Sequence, residues 1–297
     1  MMYSQVLSYS SPLYGRRTTN IHLKPLLFRY IKDFVPHCTK ETIMQIYSSF
    51  GTIPKYLNEY DASFSFMQNI NQKVLDKDAY LYSEGMFLLK EEFGDGSNYF
   101  AILESISKGN SKIGSIALSL SKSATSLSPY MQKLIELDII AKEVPVTETN
   151  PLESRFGRYK IKDKFLNFWF FYVYKNYNQL EIRQIQSIID EIETNFNDRF
   201  VSFAFEDYVI EDLRLNPSKY IDFIPKKVGR WWSNNQEIDI VAFDEDNICF
   251  IECKWQNSIN KHNVLNRLIQ KSSVVKHDKK ATFLVVTKDD YLSSEVF

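Results

Sequence analysis

Glycine is scarce in this sequence. The 297 residues include nine, against about twenty at the usual ~7%. A glycine-rich repeat, a collagen and a loop-heavy secreted scaffold are therefore not expected. Cysteine is scarcer still. Cys38, Cys249 and Cys253 give an odd count without a staple spacing, a usage that suits a reducing compartment and makes a cytoplasmic location the expectation. Long hydrophobic runs are missing: a membrane helix needs ~18–20 apolar residues, and the strongest candidate, residues 165–174, is too short. The N-terminal stretch 1–14 is polar and tyrosine-rich, without the basic-then-apolar order of a signal peptide. Nor does one charge sign dominate. Thirty-six basic and 37 acidic residues leave a net charge of -1, which excludes a histone-like polycation and an acidic disordered tail.

What is present is material for a core. Hydrophobic residues make up 44% and charged residues 25%, a globular balance. The length exceeds one ordinary domain of ~100–200 residues, so two or three units are expected. The balanced total hides an uneven distribution. Residues 105–164 carry 10 basic and 6 acidic residues, residues 165–218 carry 4 and 9, and residues 219–280 carry 11 and 8. Two mildly basic segments flank an acidic one, the minimum footprint for phosphate-backbone contacts and equally the pattern of ordinary surface variation.

The first hundred residues read as helical. Periodic segments lie around 26–34 and 40–50; Thr39 is a start signal for the second and Gly51 its end. No series of buried strands is present. A phosphate loop would need a glycine-rich turn ending in Gly-Lys-Ser/Thr, and residues 108–115 (KGNSKIGS) have the wrong spacing.

From residue 98 the pattern changes. An apolar stripe Tyr99, Phe100, Ile102, Leu103 and Ile106 predicts a helix, 112–118 a short second one, and Leu127, Tyr130, Met131, Leu134 and Ile135 a third. Strands are expected at 139–146 and 159–161. Three short helices and a two-stranded wing make a winged helix-turn-helix. Its third helix would present Ser126, Gln132 and Lys133 to the ~12 Å major groove of DNA, and Arg155, Arg158 and Lys160 on the wing suit phosphates. Winged helices also connect proteins, and serine reads bases weakly, so both roles stay open. The aromatic run FLNFWFFYVY at 165–174 lacks interleaved Lys or Arg, which favours a buried joining helix over base stacking.

The C-terminal part carries the chemistry. Residues 237–243 (EIDIVAF) alternate, which puts Glu237, Asp239 and Val241 on one face. A turn at 244–247 leads to a second strand with Phe250, Glu252 and Lys254 on one face and Cys249, Ile251 and Cys253 on the other. A helix at 264–275 and an apolar strand at 281–287, expected to be central and buried, complete an α/β unit. Asp239, Glu252 and Lys254 thus converge on neighbouring strands, as metal-assisted phosphodiester hydrolysis requires. Carboxylates hold Mg or Mn, the metal acidifies a bound water, and the lysine orients that water or offsets phosphate charge. Asp239, twelve residues, then Glu-x-Lys is the PD-(D/E)XK pattern. Glu206, in a helix expected over 200–213, is the natural further acid, and Gln270 and Lys271 can approach the same site. A solvated Glu–Lys surface pair or an inactive nuclease-like binding module are the other readings.

SPLYGRR (11–17), GTIPKYL (51–57), LIELDIIAKEVPVTETNP (134–151), GRYKIKDKFLNFWFFYVY (157–174), GRWW (229–232), EIDIVA (237–242) and ECKW (252–255) together resemble the archaeal-type ATPases of the STAND/AAA+ group. The resemblance spans nearly the whole chain. It implies an α+β multidomain fold: residues 1–95 as an incomplete ATPase module with its helical lid, 96–164 as the winged helix, and 165–297 as a domain with a restriction-endonuclease-like α/β fold. It implies Arg16 or Arg17 as the arginine near a γ-phosphate, and Gly51 and Pro54 as the lid turn that contacts adenine. The family's phosphate loop precedes the point where this sequence starts, so a fragment, split gene or truncated product is expected. ATP would then belong to an intact relative, with no hydrolysis by this chain alone. The expected function is a DNA-associated protein with a Mg- or Mn-dependent nuclease domain and no membrane partner. The alternative is a non-enzymatic DNA- or protein-binding regulator; a missing ATPase half is one candidate protein partner.

Overall fold

The structure, a computed structural model, describes residues 18, 19, 21, 23–94, 96–151, 153–233 and 235–294. Arg16, Arg17 and the rest of the 11–17 motif lie outside the described residues.

Helix α1, Lys40–Ser49, begins where expected, because the Thr39 hydroxyl accepts a hydrogen bond from the Thr42 amide and so caps the first turn. It ends at Gly51, whose φ of +71° needs a residue without Cβ. Pro54 occupies the first turn of a one-turn helix, Pro54–Leu57, where its missing N–H costs nothing. Helix α2, Tyr80–Phe93, follows. Three helices come next, α3 Ser97–Ser107, α4 Ile113–Ser119 and α5 Ala124–Glu136. They bury Phe100, Leu103, Ile116, Leu127, Met131 and Leu134 against one another. An antiparallel ribbon follows, β1 Ile140–Glu143 with β2 Arg158–Ile161. Three helices and a ribbon therefore occupy 96–164 in the expected order.

The aromatic run forms helix α6, Lys164–Phe168, continued by wider π turns over Trp169–Tyr174. Phe165, Phe168, Trp169, Phe170, Tyr172 and Val173 are wholly buried. They belong to one apolar core that takes residues from the N-terminal helices, the three-helix unit and the C-terminal part. Trp169 fixes this joint: its indole N–H donates to the Tyr82 carbonyl at 2.7 Å, and its ring lies on Gly85 of α2. A Cβ at Gly85 would stand 2.4–2.8 Å from that ring. Alanine gains ~1 kcal/mol of helix propensity over glycine, but overpacking a pinned indole costs ~1–3 kcal/mol. Gly85→Ala is expected to lower the urea midpoint at unchanged m-value. A raised midpoint would show that Trp169 has room to retreat.

Helix α7, Gln186–Phe196, and helix α8, Ser202–Leu215, precede a four-stranded sheet. Its strands are β3 Lys227–Trp232, β4 Glu237–Phe243, β5 Asn247–Lys254 and β6 Lys280–Thr287, in that spatial order. The first three are antiparallel neighbours; β6 lies parallel to β5, so the chain crosses over between them through helix α9, Lys261–Ser272. Helix α10, Lys288–Ser293, ends the described fold. Apolar side chains of β5 enter two clusters. Cys249 and Ile251 join the α8 side, while Ile248 and Phe250 join Leu268 of α9 on the other. Both faces are covered, so β5 is buried along nearly its whole length.

Two sequence expectations change here. Strand 281–287 is not central: β6 is the edge of the sheet, and residues 280–282 are exposed. An apolar run cannot distinguish a central strand from an edge strand with one covered face. The strict alternation of 237–243 also breaks. Gly229 pairs with Val241 but Trp231 pairs with Ile238, so β4 carries one residue more than β3 opposite Arg230. Ile238 and Val241 share one cluster while Ile240 and Ala242 enter the other. This is a β-bulge, and Asp239 lies in it; bulges re-aim the side chains they contain. Among the described residues, no helix is long and apolar enough to cross a membrane.

Candidate active site

Asp239, Glu252 and Lys254 come together as the sequence spacing predicts. The Asp239 carboxylate Oδ2 accepts the backbone N–H of Cys253 at 2.8 Å, which ties the bulge of β4 to the end of β5. Lys254 Nζ lies 2.9 Å from Glu252 Oε1 and 3.8 Å from Asp239 Oδ2. Lys271, reaching in from α9, donates to the same Glu252 Oε1 at 2.9 Å, while Gln270 beside it is exposed. Glu252 is buried, and its second oxygen, Oε2, has no hydrogen-bond partner.

Burial pushes the Asp239 carboxyl up to about 6, and the neighbouring Glu252 charge adds to the shift against the pull of Lys254. Burial acts in the opposite sense on Lys254, but Asp239 and Glu252 outweigh it and hold the ammonium above its ordinary range. The centre is thus a desolvated pair of carboxylates stabilised by cations. Burial also pushes up the Cys253 thiol, with the Asp239 and Glu206 charges adding to it, so this cysteine is an inert neighbour rather than a nucleophile.

A buried carboxylate oxygen without a donor is a departure from the rule that buried polar atoms are satisfied. A hard divalent cation would supply the missing interaction, since Mg is commonly held by one or two carboxylates with waters and substrate phosphates completing its shell. Asp239 and Glu252 fit that mode. Among the described residues, no group of three or more His, Cys, Asp or Glu side chains is placed to hold a metal.

Glu206, the expected further acid, has a cation partner of its own. Arg230 Nε donates to Glu206 Oε2 at 3.0 Å, and its Nη2 donates to Asp207 Oδ1 at 2.9 Å. Burial, partly offset by Arg230 and increased by Asp239, pushes the Glu206 carboxyl up to about 8. Asp207 goes the other way. Burial raises it, but Lys160, Lys164 and Arg230 together hold it well below the carboxylate range. The sequence singled out Arg230 only as part of an Arg-Trp-Trp pattern without a role; Asp207 and Lys164 went unnoticed. Two adjacent acid pairs, Glu206-Asp207 and Glu211-Asp212, in the largely apolar stretch 200–213 were the available signal, since desolvated charges need partners. A cleft of about 390 Å³ opens on this cluster, lined by residues that include Glu143, Lys160, Asp207, Arg214 and Arg230, and by none of Asp239, Glu252 or Lys254.

The candidate nucleic-acid contacts divide into two groups. On α5, Ser126 and Gln132 are exposed and Lys133 is half-buried; the Ser126 amide donates to Ser123, and Gln132 donates to Glu136 at 3.1 Å. In the loop joining the two strands of the ribbon, Arg155 is exposed. Arg158 and Lys160 are instead turned toward the sheet unit. Arg158 Nη1 lies 2.9 Å from Glu237 Oε2 and its guanidinium stacks over Trp232. Lys160 pairs with Glu143 at 2.6 Å and with Asp207 at 3.4 Å. Trp232 in turn donates to the Phe156 carbonyl, and the Val146 amide donates to the Arg230 carbonyl at the β3 edge. The Arg-Trp-Trp segment therefore seats the ribbon on the sheet. Trp255 packs on Phe205 and Tyr291. Of the residues assigned to nucleotide contact by resemblance, Gly51 and Pro54 shape the turn after α1, beside which Lys55 reaches buried Glu84 at 3.2 Å.

Residues 169–266 match the DUF234 family model, described as archaeal and bacterial proteins of unknown function. This stretch contains Glu206, Asp207, Arg230, Asp239, Glu252 and Lys254. The chain is also similar to an uncharacterized protein of Methanocaldococcus jannaschii, with 36% identity over 260 residues, covering 86% of this chain. The aligned part is 58% of that relative's length, so the chain spans little more than half of it. No solved structure matches.

Proposed function

We propose that the sheet unit is a metal-dependent phosphodiesterase of the restriction-endonuclease-like type, acting on nucleic acid. The observation that carries this reading is Glu252 Oε2, a buried carboxylate oxygen with no donor, on the strand paired to the one that holds Asp239. Asp239 and Glu252 would hold Mg or Mn, which supplies Lewis acidity and an acidified water. Lys254, beside both acids, orients the attacking water and offsets charge on the phosphate. The three helices and ribbon serve as the DNA-associated winged helix, with Ser126, Gln132, Lys133 and Arg155 as its contacts. The N-terminal helices correspond to an ATPase lid, and ATP to a longer relative of the archaeal ATPase type. A cytoplasmic protein fits this reading.

One observation favours a second reading. Lys254 and Lys271 both occupy Glu252 Oε1, so the carboxylate is paired without a metal ion, as in an inactive nuclease fold that binds DNA or a protein partner. Incubation with linear, supercoiled and single-stranded DNA in Mn, Mg or EDTA separates the two. We expect cleavage in Mn or Mg, none in EDTA, and a loss of ~10²-fold or more in Lys254→Ala. A retarded band without cleavage in any metal would leave the binding module and discard the phosphodiesterase.

A further inference from the structure

Basic side chains lie at the acidic centre and at Glu237, two residues before Asp239, and two arginines close to them in sequence are left free. On one side stands the ribbon. Arg158 is held by Glu237, two residues before Asp239, and stacks on Trp232; its Nε is buried without a partner. Arg155, three residues earlier, is exposed, and no hydrogen bond or ion pair holds it among the described residues. On the other side stands α9. Leu268 turns into the sheet and is wholly buried, while Lys271 reaches Glu252 from the flank. Residues four apart share a helix face, ~6 Å along the axis. Arg267 therefore continues the Lys271 flank outward. It is exposed and likewise held by no hydrogen bond or ion pair among the described residues.

We infer that the ribbon and this flank of α9 form one phosphate-binding track across the Asp239–Glu252–Lys254 centre, with Arg155 and Arg267 at its ends and a nucleic-acid backbone as its occupant. The inference rests on the reading of the centre as a phosphodiester site. Its physical basis is charge order. Lys254 and Lys271 are spent on the acids of the centre, and Arg158 on Glu237. The outer two have no acid to neutralise and remain available for phosphate oxygens, which guanidinium groups take bidentately. The ribbon's seating on the sheet through Trp232–Phe156 and Val146–Arg230 fixes the two sides relative to each other. A polyanion crossing the centre would thus meet cation, metal-holding acids and cation in turn.

The test is binding of labelled single-stranded and duplex DNA, and RNA of the same sequence, to the full chain in EDTA, followed by anisotropy between ~50 and ~200 mM salt. Each lost phosphate contact lowers the slope of log K against log salt by ~1. Arg155→Ala and Arg267→Ala are each expected to do so, weakening binding by about threefold or more at low salt, with additive effects in the double variant. Lys90→Ala, on exposed α2 surface, serves as a control that leaves the slope unchanged. Both arginines are exposed, so neither change threatens the fold. No binding by the wild-type chain, or unchanged slopes in both variants, overturns the track. Metal-dependent cleavage with unchanged slopes would keep the phosphodiesterase and discard the track. Arginine-dependent binding without cleavage in any metal would keep the track and discard the phosphodiesterase. The nucleic acid with the steeper slope identifies the occupant.

Discussion

Asp239→Asn should produce two effects of opposite sign. Metal-dependent cleavage falls by on the order of 10³-fold, because losing a ligand forfeits several kcal/mol of transition-state stabilisation. Stability above about pH 6, measured without metal, rises. Asparagine keeps an acceptor for the Cys253 N–H that Asp239 now holds at 2.8 Å, so the bulge survives. What it removes is a titration. Burial first, then the Glu252 charge, raise the folded-state carboxyl to about 6. Below about pH 4 the group is protonated in both states and contributes no difference. As pH rises, the unfolded chain releases this proton first, so the wild type loses stability through about pH 6 and then bears the full cost of the charge. A shift of this size amounts to about 3 kcal/mol. The variant escapes that cost, and its advantage over the wild type should grow across this window and then level off. Adding Mg or Mn should return stability to the wild type but not to the variant. Urea titrations at pH 4 and pH 8, with and without metal, check all of this. Equal stability of the two proteins at both pH values would show that Asp239 is not strained by its surroundings. Equal cleavage would remove it from the site.

The acid pair and its lysine were legible because they depend on spacing along single strands. A two-residue step places Glu252 and Lys254 together, and a hairpin turn brings Asp239 back against them. The order of three helices and a ribbon was legible for the same reason, since each element follows from local periodicity. Contacts between distant segments were not. The bulge in β4 is set by pairing with β3, a strand that the sequence did not announce. The pairing of Lys160 with Asp207 and of Arg230 with Glu206 and Asp207 joins residues 23 to 47 positions apart. No local pattern distinguishes a lysine bound for phosphate from one bound for a half-buried aspartate. The aromatic run was read correctly as core, because a strip without interleaved cations has no water-facing side. Its role as the joint holding Trp169 against Gly85 required the fold.

These distant contacts bear directly on the site. Asp207 sits next to Glu206 on α8 and receives Lys160 from the ribbon, Lys164 from α6 and Arg230 from β3. One half-buried acid therefore ties three elements together beside the acidic centre, and Arg230 is the cation shared between it and Glu206.

Arg230→Met is accordingly expected to destabilise the fold more than Gly85→Ala or the loss of either exposed arginine. Methionine fills much of the same volume, so the effect reports charge rather than cavity. Removing one partner of a buried ion pair typically costs ~3–5 kcal/mol, because the other charge is left uncompensated. Two features divide that cost by pH. Asp207 keeps Lys160 and Lys164, so it stays paired throughout. Glu206 has its carboxyl at about 8 even with Arg230 present, since burial dominates. It can therefore take a proton near neutral pH and avoid a naked charge. A carboxyl raised in the folded state costs stability from its unfolded value upward, and the cost levels off at its folded value, about 8 in the wild type; a variant with a higher value goes on losing stability above that pH. In the variant, with Arg230 no longer opposing burial, that value lies higher still. The loss should thus be near ~1–2 kcal/mol at pH 6 and approach ~3 kcal/mol or more by pH 9. Adding Glu206→Gln to Arg230→Met should recover most of the pH-dependent part and none of the pH-independent part. A destabilisation that is the same at pH 6 and pH 9, or that Glu206→Gln leaves untouched at pH 9, would place the cost in lost packing or in Asp207 and remove Glu206 as the group that Arg230 neutralises.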